Sequence, residues 1–365
     1  MQMGQTGTEE YTEGLVWGLN RIGVSVVGMG RPGSAILPDQ PGLGLPPRKG
    51  RPWWAKWWWE NFGVTGIPKE ADLLQIPYMA HPPRTLKTPI VVTVHDLIPF
   101  RLDAYRQRFK ERAYFTMVRQ RLPYATALVA ISEATRRDIQ DFFPALAHKV
   151  TVIPNGVHPA FFQAVTEEQL QVAKEHFQLV RRPRILYVGG YDERKNVSTL
   201  VAAAREVFAR RHDGELVLVG AKAHLEVHRV IEELGMRAHT VLTPRISREL
   251  LVALYHAADI FAFPSTFEGF GLGPAQALAA GVPIVAGDTP AVREVVGAEG
   301  ILVRPKVVDD WIEALQQTIA SPALTQSMMT RGRMRAEDFR WEKVAKAYQD
   351  LYARVVDHRG KTDRP

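Results

Sequence analysis

The chain has no cysteine among its 365 residues. This absence excludes disulfides, thiolate metal sites, iron–sulfur clusters and thiol nucleophiles. The sequence also lacks any apolar run of the roughly 18 to 20 residues that cross a bilayer. Its first residues, MQMGQTGTEEYTEGL, are acidic where a secretory signal needs a basic segment. We therefore expect a soluble, cytoplasmic protein.

The composition is that of a globular protein, with 46% hydrophobic and 23% charged residues. The length fits two domains of roughly 150 to 200 residues each. The formal net charge of +7 favours an anionic partner. Charge alone leaves nucleic acid, a phosphate-bearing ligand and an acidic membrane surface open.

Short apolar, β-branched runs alternate with helix-length segments along most of the chain. Such alternation predicts an α/β protein built from βαβ units with mostly parallel sheets. The predicted strands are Val24–Val27, Ile90–Val94, Ala127–Ile131, Val150–Ile153, Arg184–Val188, Leu216–Val219, Ile260–Phe263, Pro283–Val285 and Ile301–Val303, with another near Val241.

The strand pattern is interrupted once, after Asn155-Gly156, by the charged helical stretch Glu167–Gln178. We predict a Rossmann-like domain over 1–165, a linker over 166–182, and a second Rossmann-like domain over 183–340. An amphipathic closing helix and tail follow over 341–365. The glycines Gly4 and Gly7 come at once, so the first strand expected of a doubly wound domain is missing.

The densest motif is PSTFEGFGLGPAQALAAG, which follows the strand Ile260–Phe263 and leads into a helix. Glycines before a helix start let backbone N–H groups approach an anion, and the helix dipole favours negative charge there. The motif predicts a diphosphate site, with Glu268 placed to bind hydroxyls and Gln276 to reach a ribose. A glycine-rich helix cap without a ligand is the alternative.

Two further strand ends carry candidate site residues. Arg194 and Lys195 follow the glycines of GGYDERKN, where paired cations suit a diphosphate leaving group. His95 follows the strand Ile90–Val94, at the edge where doubly wound sheets bind ligands. Solvated surface charges and a structural histidine are the alternatives.

With these motifs, the sequence resembles a retaining glycosyltransferase of family 4 in the GT-B class, also called glycosyl transferases group 1. The resemblance runs from Gly4 to about Val356. It is carried by GQTGTEEYTEGL, VVTVHDLIPF, ALVAISEATRRDI, VIPNGV, YVGGYDERKNVSTLV, HAADIFAFPSTFEGFGLGPAQALAAGVPIVA and FRWEKVAKAYQDLY. It implies two facing Rossmann-like domains, with the closing helix crossing back to the first.

The resemblance also implies roles for particular residues. Arg194 and Lys195 would hold the donor diphosphate, Glu268 would contact hydroxyls of the donor sugar, and His95 would line the sugar site from the opposite domain. The implied donor-binding set is Gly4, Gly7, Thr243, Arg245, Gly269, Phe270, Gly271, Leu272 and Gln276. The backbone around Thr243–Ile246 falls where the family holds the nucleobase, and Ser132 and Glu133 match a recurring pair of less defined role.

The sequence departs from the family at two positions. Gln276 stands where the family has its second glutamate, and Gly273 intervenes between Leu272 and Pro274. A charged hydrogen bond is worth about 1 to 2 kcal/mol more than a neutral one, so Gln276 affects donor affinity or nucleotide choice. No Asp-x-Asp pair or histidine cluster suggests a metal, and the family does not generally need one. We expect no cofactor.

The segment PPRKGRPWWAKWWWENF concentrates tryptophan and basic residues. On a helix, Trp53, Trp54, Trp57 and Trp58 form one face, which predicts contact with an anionic membrane surface. Packing of this helix on the first domain is the alternative.

The resemblance implies transfer of a hexose of mannose or glucose type from a nucleoside diphosphate sugar to a polysaccharide or lipid-linked acceptor, with retention of configuration. Nucleic acid is not expected as a partner. A non-catalytic or truncated sugar-nucleotide-binding partner subunit remains an alternative, as does an epimerase or phosphorylase of the same architecture.

Overall fold

The computed structural model describes residues 7–27, 67–101 except 81 and 85, 109–211 and 213–362. The predicted tryptophan face at Trp53, Trp54, Trp57 and Trp58 lies outside these residues, as does Gly4. The chain divides into two units, with boundaries between Gly156 and Val157 and between Arg340 and Trp341. We call Val157–Arg340 the C-terminal unit. The described residues before it, together with those from Trp341 onward, form the N-terminal unit.

Helices and strands alternate along both units. The strands are β1 Leu74–Ile76, β2 Ile90–Val94, β3 Ala127–Ala130, β4 Val150–Val152, β5 Arg184–Val188, β6 Glu215–Val219, β7 Thr240–Leu242, β8 Ile260–Phe263, β9 Ile284–Gly287 and β10 Ile301–Val303. The helices are α1 Gly7–Arg21, α2 Ile98–Arg101, α3 Phe109–Arg121, α4 Glu133–Phe142, α5 Glu167–Phe177, α6 Val197–Arg211, α7 Leu225–Glu233, α8 Arg248–Ala257, α9 Leu272–Ala280, α10 Pro290–Val296, α11 Val308–Ala320, α12 Pro322–Ala336 and α13 Trp341–Thr362.

The C-terminal unit contains a parallel six-stranded sheet in the order β7-β6-β5-β8-β9-β10. This is the strand order of a Rossmann fold, in which the chain reverses direction across the sheet between β5 and β8. Every residue of β6, β8 and β9 is buried. A sheet covered on both faces needs apolar residues at nearly every position, which is why these strands read as continuous apolar runs.

The unit boundary differs from the predicted domain limits. Val157 already forms a parallel bridge with Arg340, and the Phe161 ring packs edge-on against Tyr255 at a centroid distance of 5.4 Å. The stretch predicted as a linker over 166–182 contains α5, which buries Ala173 and Phe177 and contacts α8. These contacts place residues 157–182 in the C-terminal unit.

The N-terminal unit contains a parallel four-stranded sheet in the order β1-β2-β3-β4. Helices α1 and α13 contact each other and share one apolar cluster with Val91 and Val129 of the sheet. The described residues begin with α1 at Gly7, so the predicted absence of a first strand stays a prediction. The predicted strand Val24–Val27 is wrong: Val24 and Val26 pack against the cluster, but the segment joins no sheet of the described residues.

Trp341 anchors α13 to the rest of the N-terminal unit. Its side chain is 1% exposed, and a Cβ placed at Gly14 of α1 or at Gly156 would overlap its indole ring. Glycine at these two positions therefore permits the close approach of α1, α13 and the chain after β4.

Among the described residues, no helix combines the length and the apolar character that crossing a membrane requires.

Candidate functional site

The loops after β5 and β8 carry both motifs that the sequence predicted to bind a diphosphate. These strands are neighbours, and the strand order reverses between them. The carboxyl ends of parallel strands at such a reversal form the crevice where open α/β sheets bind ligands. The fold of the C-terminal unit therefore brings Arg194, Lys195 and Glu268 to one edge.

Glu268 forms an ion-pair cluster with both cations. Lys195 Nζ lies 2.5 Å from Glu268 Oε1, and Arg194 Nη1 lies 3.2 Å from Glu268 Oε2. The side chains of Lys195, Glu268 and Arg194 are 10%, 11% and 18% exposed. Because so little solvent screens them, the Coulomb attraction within these pairs is stronger than in ion pairs on an open surface. The sequence predicted a sugar-binding role for Glu268, but its pairing with two cations came only from the structure.

Backbone and amide contacts hold the two loops together. The Thr266 backbone N–H donates to the Arg194 carbonyl at 2.7 Å, and the Thr266 hydroxyl donates to the same oxygen at 3.0 Å. Asn196 donates its side-chain amide to the Pro264 carbonyl at 3.2 Å and to the Pro305 carbonyl at 2.6 Å. The loops after β5, β8 and β10 are thereby fixed relative to one another.

The glycine turn after β5 is shaped by Tyr187, which is fully buried. Its hydroxyl donates to the Gly190 carbonyl at 2.5 Å, and a Cβ at Gly189 would lie 2.6 Å from the hydroxyl oxygen. A side chain at Gly189 would displace this turn. The requirement for glycine there is steric, and it keeps Arg194 and Lys195 at the end of β5.

Helix α9 begins beside the ion-pair cluster. Gly271 precedes it with φ +108°, a left-handed conformation that favours glycine, and provides no side-chain cap. The first backbone N–H groups of a helix have no partner within the helix, so those near Phe270–Leu272 suit an anion. A Cβ at Gly273 would lie 3.0 Å from the Phe261 ring, so the glycine after Leu272 lets α9 start close to β8.

Gln276 lies in the buried part of α9. It is 4% exposed, and its side-chain oxygen accepts a hydrogen bond from the Tyr255 hydroxyl at 3.1 Å. The side-chain carbonyl of Gln276 thus already accepts a hydrogen bond within the C-terminal unit. The ribose-binding role of Gln276 stays a prediction.

The predicted nucleobase segment follows β7. Thr243 is 1% exposed; its hydroxyl oxygen accepts from the Gly220 N–H at 3.1 Å, and its carbonyl accepts from the Lys222 N–H at 3.0 Å. Arg245 is exposed. These bonds join the loops after β6 and β7 at the same edge of the sheet as Lys195.

His95 lies in the N-terminal unit, where it follows β2 and is half-buried. Its Nε2 lies 2.8 Å from the Pro77 carbonyl oxygen, and its ring packs edge-on against Tyr11 at a centroid distance of 4.6 Å. Burial lowers the pKa of His95 because it disfavours the charged imidazolium.

The glycosyl transferases group 1 family matches residues 171–335, and glycosyltransferase family 4 matches residues 6–161. The MMP alpha-(1->4)-mannosyltransferase of Mycolicibacterium hassiacum is 30% identical over a 299-residue alignment that covers 78% of this chain and 68% of the relative. This chain belongs to glycosyltransferase family 4. The predicted family is confirmed.

Solved structures with the same fold cover both units. WaaG, a glycosyltransferase involved in lipopolysaccharide biosynthesis, superposes with a TM-score of 0.74 at 16% identity. The match covers 96% of this chain and 97% of the WaaG chain. Anabaena HepE in complex with UDP-glucose gives a TM-score of 0.62 at 17% identity, and the match covers 73% of this chain and 72% of the HepE chain. The predicted GT-B fold is confirmed by these likenesses.

Other predicted residues of this glycosyltransferase have structural roles in the described chain. Ser132 caps α4, its hydroxyl accepting from the Thr135 N–H at 2.9 Å, and Glu133 pairs with Arg136 at 2.6 Å. Gly7 is the exposed first residue of α1, and a Cβ there would lie within 4 Å of no atom of the described residues. The contacts of Ser132 and Glu133 stabilise the start of a helix.

The sequence reasoning missed Asn196 and Tyr187. Asn196 adopts a left-handed φ of +52°, a conformation that Asn tolerates better than most residues. Its position directly after ERK was a local signal for such a turn. Nothing local to Tyr187 predicts its bond to Gly190.

Proposed function

We propose that the protein is a retaining hexosyltransferase that moves a mannose- or glucose-type sugar from a nucleoside diphosphate sugar to a polysaccharide or lipid-linked acceptor. The observation that carries this proposal is the Arg194–Lys195–Glu268 cluster beside the start of α9, at the strand reversal of a Rossmann sheet. The family relative that transfers mannose and the solved HepE complex with UDP-glucose support a hexose and a nucleotide donor.

In this proposal the cluster stabilises the departing diphosphate. Negative charge grows on the leaving oxygen as the glycosidic bond breaks, and preorganised cations in a poorly solvated site lower the energy of that transition state. Lys195 and Arg194 are preorganised because Glu268 and the Thr266 contacts fix their positions. With the N–H groups at the start of α9, they supply positive charge without a metal ion.

The acceptor hydroxyl would then attack the electron-poor sugar carbon on the face that the diphosphate leaves, and its proton would pass to an oxygen of the departing diphosphate. Glu268 is held by two cations, which makes its carboxylate a poor nucleophile, so we propose no covalent sugar–enzyme intermediate. Glu268 would instead accept hydrogen bonds from hydroxyls of the donor sugar, and His95 would accept one from a sugar hydroxyl.

A donor panel tests this proposal. We expect the purified protein to release nucleoside diphosphate from one of GDP-mannose, UDP-glucose and related donors when a saccharide or glycolipid acceptor is present. Proton NMR of the product should show the anomeric configuration of the donor. An inverted configuration would refute retention, and donor binding without turnover on any acceptor would favour the alternative of a non-catalytic partner subunit.

We also propose that the protein works in the cytoplasm and contacts anionic membrane through Trp53, Trp54, Trp57 and Trp58. The tryptophans favour the interface, and the neighbouring Arg48, Lys49 and Arg51 favour anionic headgroups.

The protein is expected to sediment with vesicles containing anionic lipid and to be released by salt, which screens charges beyond about 8 Å at physiological ionic strength. Replacing Trp54 and Trp58 by serine should weaken vesicle binding and leave the melting temperature unchanged. A lower melting temperature without vesicle binding by the parent protein would instead favour the alternative that this tryptophan-rich segment packs on the first domain.

A further inference from the structure

A group of buried hydroxyls lies behind His95 in the N-terminal unit. The Tyr11 hydroxyl lies 2.9 Å from Thr93 Oγ1 and 2.5 Å from the Tyr348 hydroxyl. Thr93 Oγ1 and the Tyr348 hydroxyl are 3.2 Å apart. All three residues are at most 2% exposed. We call Tyr11, Thr93 and Tyr348 the hydroxyl triangle. It joins α1, β2 and α13.

Every member of the hydroxyl triangle is hydrogen-bonded and neutral. Gln75 of β1 donates its side-chain amide to Thr93 Oγ1 at 3.0 Å. Burial raises the pKa of Tyr348 to about 12, and it also raises the pKa of Tyr11. Because an unpaired buried hydroxyl costs free energy, the Tyr11 side chain cannot move away without a penalty.

The contact with Pro77 determines which nitrogen of His95 carries the proton. A carbonyl oxygen only accepts hydrogen bonds, so Nε2, at 2.8 Å, must be the N–H donor. In the neutral ring, Nδ1 then keeps its lone pair and is an acceptor. Such a nitrogen binds a hydroxyl group well. It disfavours a phosphate oxygen, which is itself an acceptor.

We propose that Tyr11 is a positioning residue for His95, which binds a sugar hydroxyl through Nδ1. The hydroxyl triangle fixes the Tyr11 ring, and that ring, edge-on at 87° and 4.6 Å from the imidazole, fixes the plane of His95. Tyr348 of α13 therefore acts on His95 through Tyr11. The inference rests on the proposed function only in the identity of the ligand, because the arrangement of Tyr11, Pro77 and His95 is independent of it.

Nitrogen-15 spectra of histidine side chains test the arrangement without any donor. The His95 signal is identified by its absence from a His95→Gln variant. At neutral pH the parent protein should show the Nε2–H tautomer, and Tyr11→Leu should give a mixture of tautomers or a shifted signal. A parent His95 that is an Nδ1–H tautomer or an imidazolium, or a signal unchanged in Tyr11→Leu, overturns the proposal whether or not the protein transfers sugar.

Tyr352→Phe is the matched control for the spectra. The Tyr352 hydroxyl donates to Gln75 Oε1 at 3.0 Å, so its loss disturbs the same buried group of polar side chains. Among the ring pairs of the described residues, the Tyr352 ring packs against Tyr348 at a centroid distance of 5.7 Å and is not paired with His95. We expect a lower melting temperature and an unchanged His95 tautomer, and a tautomer change as large as that in Tyr11→Leu would overturn the role assigned to the Tyr11 ring.

Kinetics in two backgrounds separate positioning from stability. Tyr11→Leu should lower kcat/KM about tenfold in the parent protein but no more than about twofold when His95 is already alanine, because coupled residues are not additive. Tyr11→Phe keeps the ring and should recover most of the activity; it also provides a test if the leucine variant fails to fold. Equal losses in both backgrounds, or a phenylalanine variant as impaired as the leucine variant, would refute positioning through the ring.

Discussion

Replacing Lys195 by alanine is expected to lower kcat/KM by about 30-fold or more, because a charge-assisted contact to a developing negative charge is worth roughly 2 to 4 kcal/mol in the transition state. Lys195 is the more buried of the two cations in the cluster, and its Nζ lies 2.5 Å from Glu268. The fall should appear mainly in kcat, since the leaving-group charge develops only as the bond breaks. Steady-state measurement of nucleotide release checks this.

Lys346→Ala is the matched control for Lys195→Ala. Lys346 is exposed on α13, and its partners in the described part of the chain are Gln349 and Asp350 of the same helix. It should therefore leave kcat/KM unchanged. A folded Lys195→Ala protein with unaltered kcat/KM would defeat the assignment of Lys195 to the diphosphate.

A further comparison separates two possible roles of Lys195, which are positioning Glu268 and stabilising the departing diphosphate. If Lys195 only positions Glu268, then Lys195→Ala should cost nothing more in a Glu268→Gln protein. If it also acts on the diphosphate, the double variant should be slower than Glu268→Gln alone. We expect the second result.

Trp341→Ala is expected to lower the free energy of unfolding by about 3 to 5 kcal/mol, the usual cost of replacing a buried aromatic side chain by alanine. Trp341 fills the space left by Gly14 and Gly156 and packs against Tyr11 at a centroid distance of 5.7 Å. Its loss leaves a cavity at the point where α13 enters the N-terminal unit. Denaturant unfolding followed by fluorescence measures the change.

Trp17→Ala provides the comparison for Trp341→Ala, because Trp17 lies on α1 and is 36% exposed. We expect it to cost less than half as much. Gly14→Ala tests the same contact from the other side, since the added Cβ overlaps the Trp341 ring, and overpacking costs about 1 to 3 kcal/mol. A Trp341→Ala protein as stable as Trp17→Ala would show that α13 is not held by this contact.

The sequence predicted well wherever a feature depends on neighbouring residues. The limits of β5, β8 and β10 agree with the predicted strands, since each contains a short run of consecutive apolar residues. In β8 every residue is buried, as expected for a strand covered on both faces of its sheet. The sequence did not predict strand β1, because its three residues include a half-buried glutamine and form no continuous apolar run. Val24–Val27 has the residue types of a strand but pairs with no strand of the described residues. A strand also needs a neighbouring strand for its hydrogen bonds, and the local residues do not show whether one is present.

In the candidate site too, the sequence predicted the local features but not the contacts between distant residues. The glycine turns, the paired cations and the position of Glu268 all follow directly from strand ends, so local pattern placed each on the correct edge of its sheet. The salt bridges of Glu268 join residues 73 and 74 positions apart. They depend on β5 and β8 being neighbours, which the chain order of the strands does not reveal.

By itself, the sequence determined the α/β class, the family, the two Rossmann-like sheets and the loops that carry the cations and Glu268, because these depend on hydrophobic periodicity and short motifs. Only the tertiary structure decided the unit boundary at Gly156, the pairing within the cluster and the contact of Tyr11 with His95. Tyr11 and Tyr348 are 337 residues apart in the sequence. Packing alone brings such residues together, since hydrogen bonds between buried groups form only where the fold places both partners.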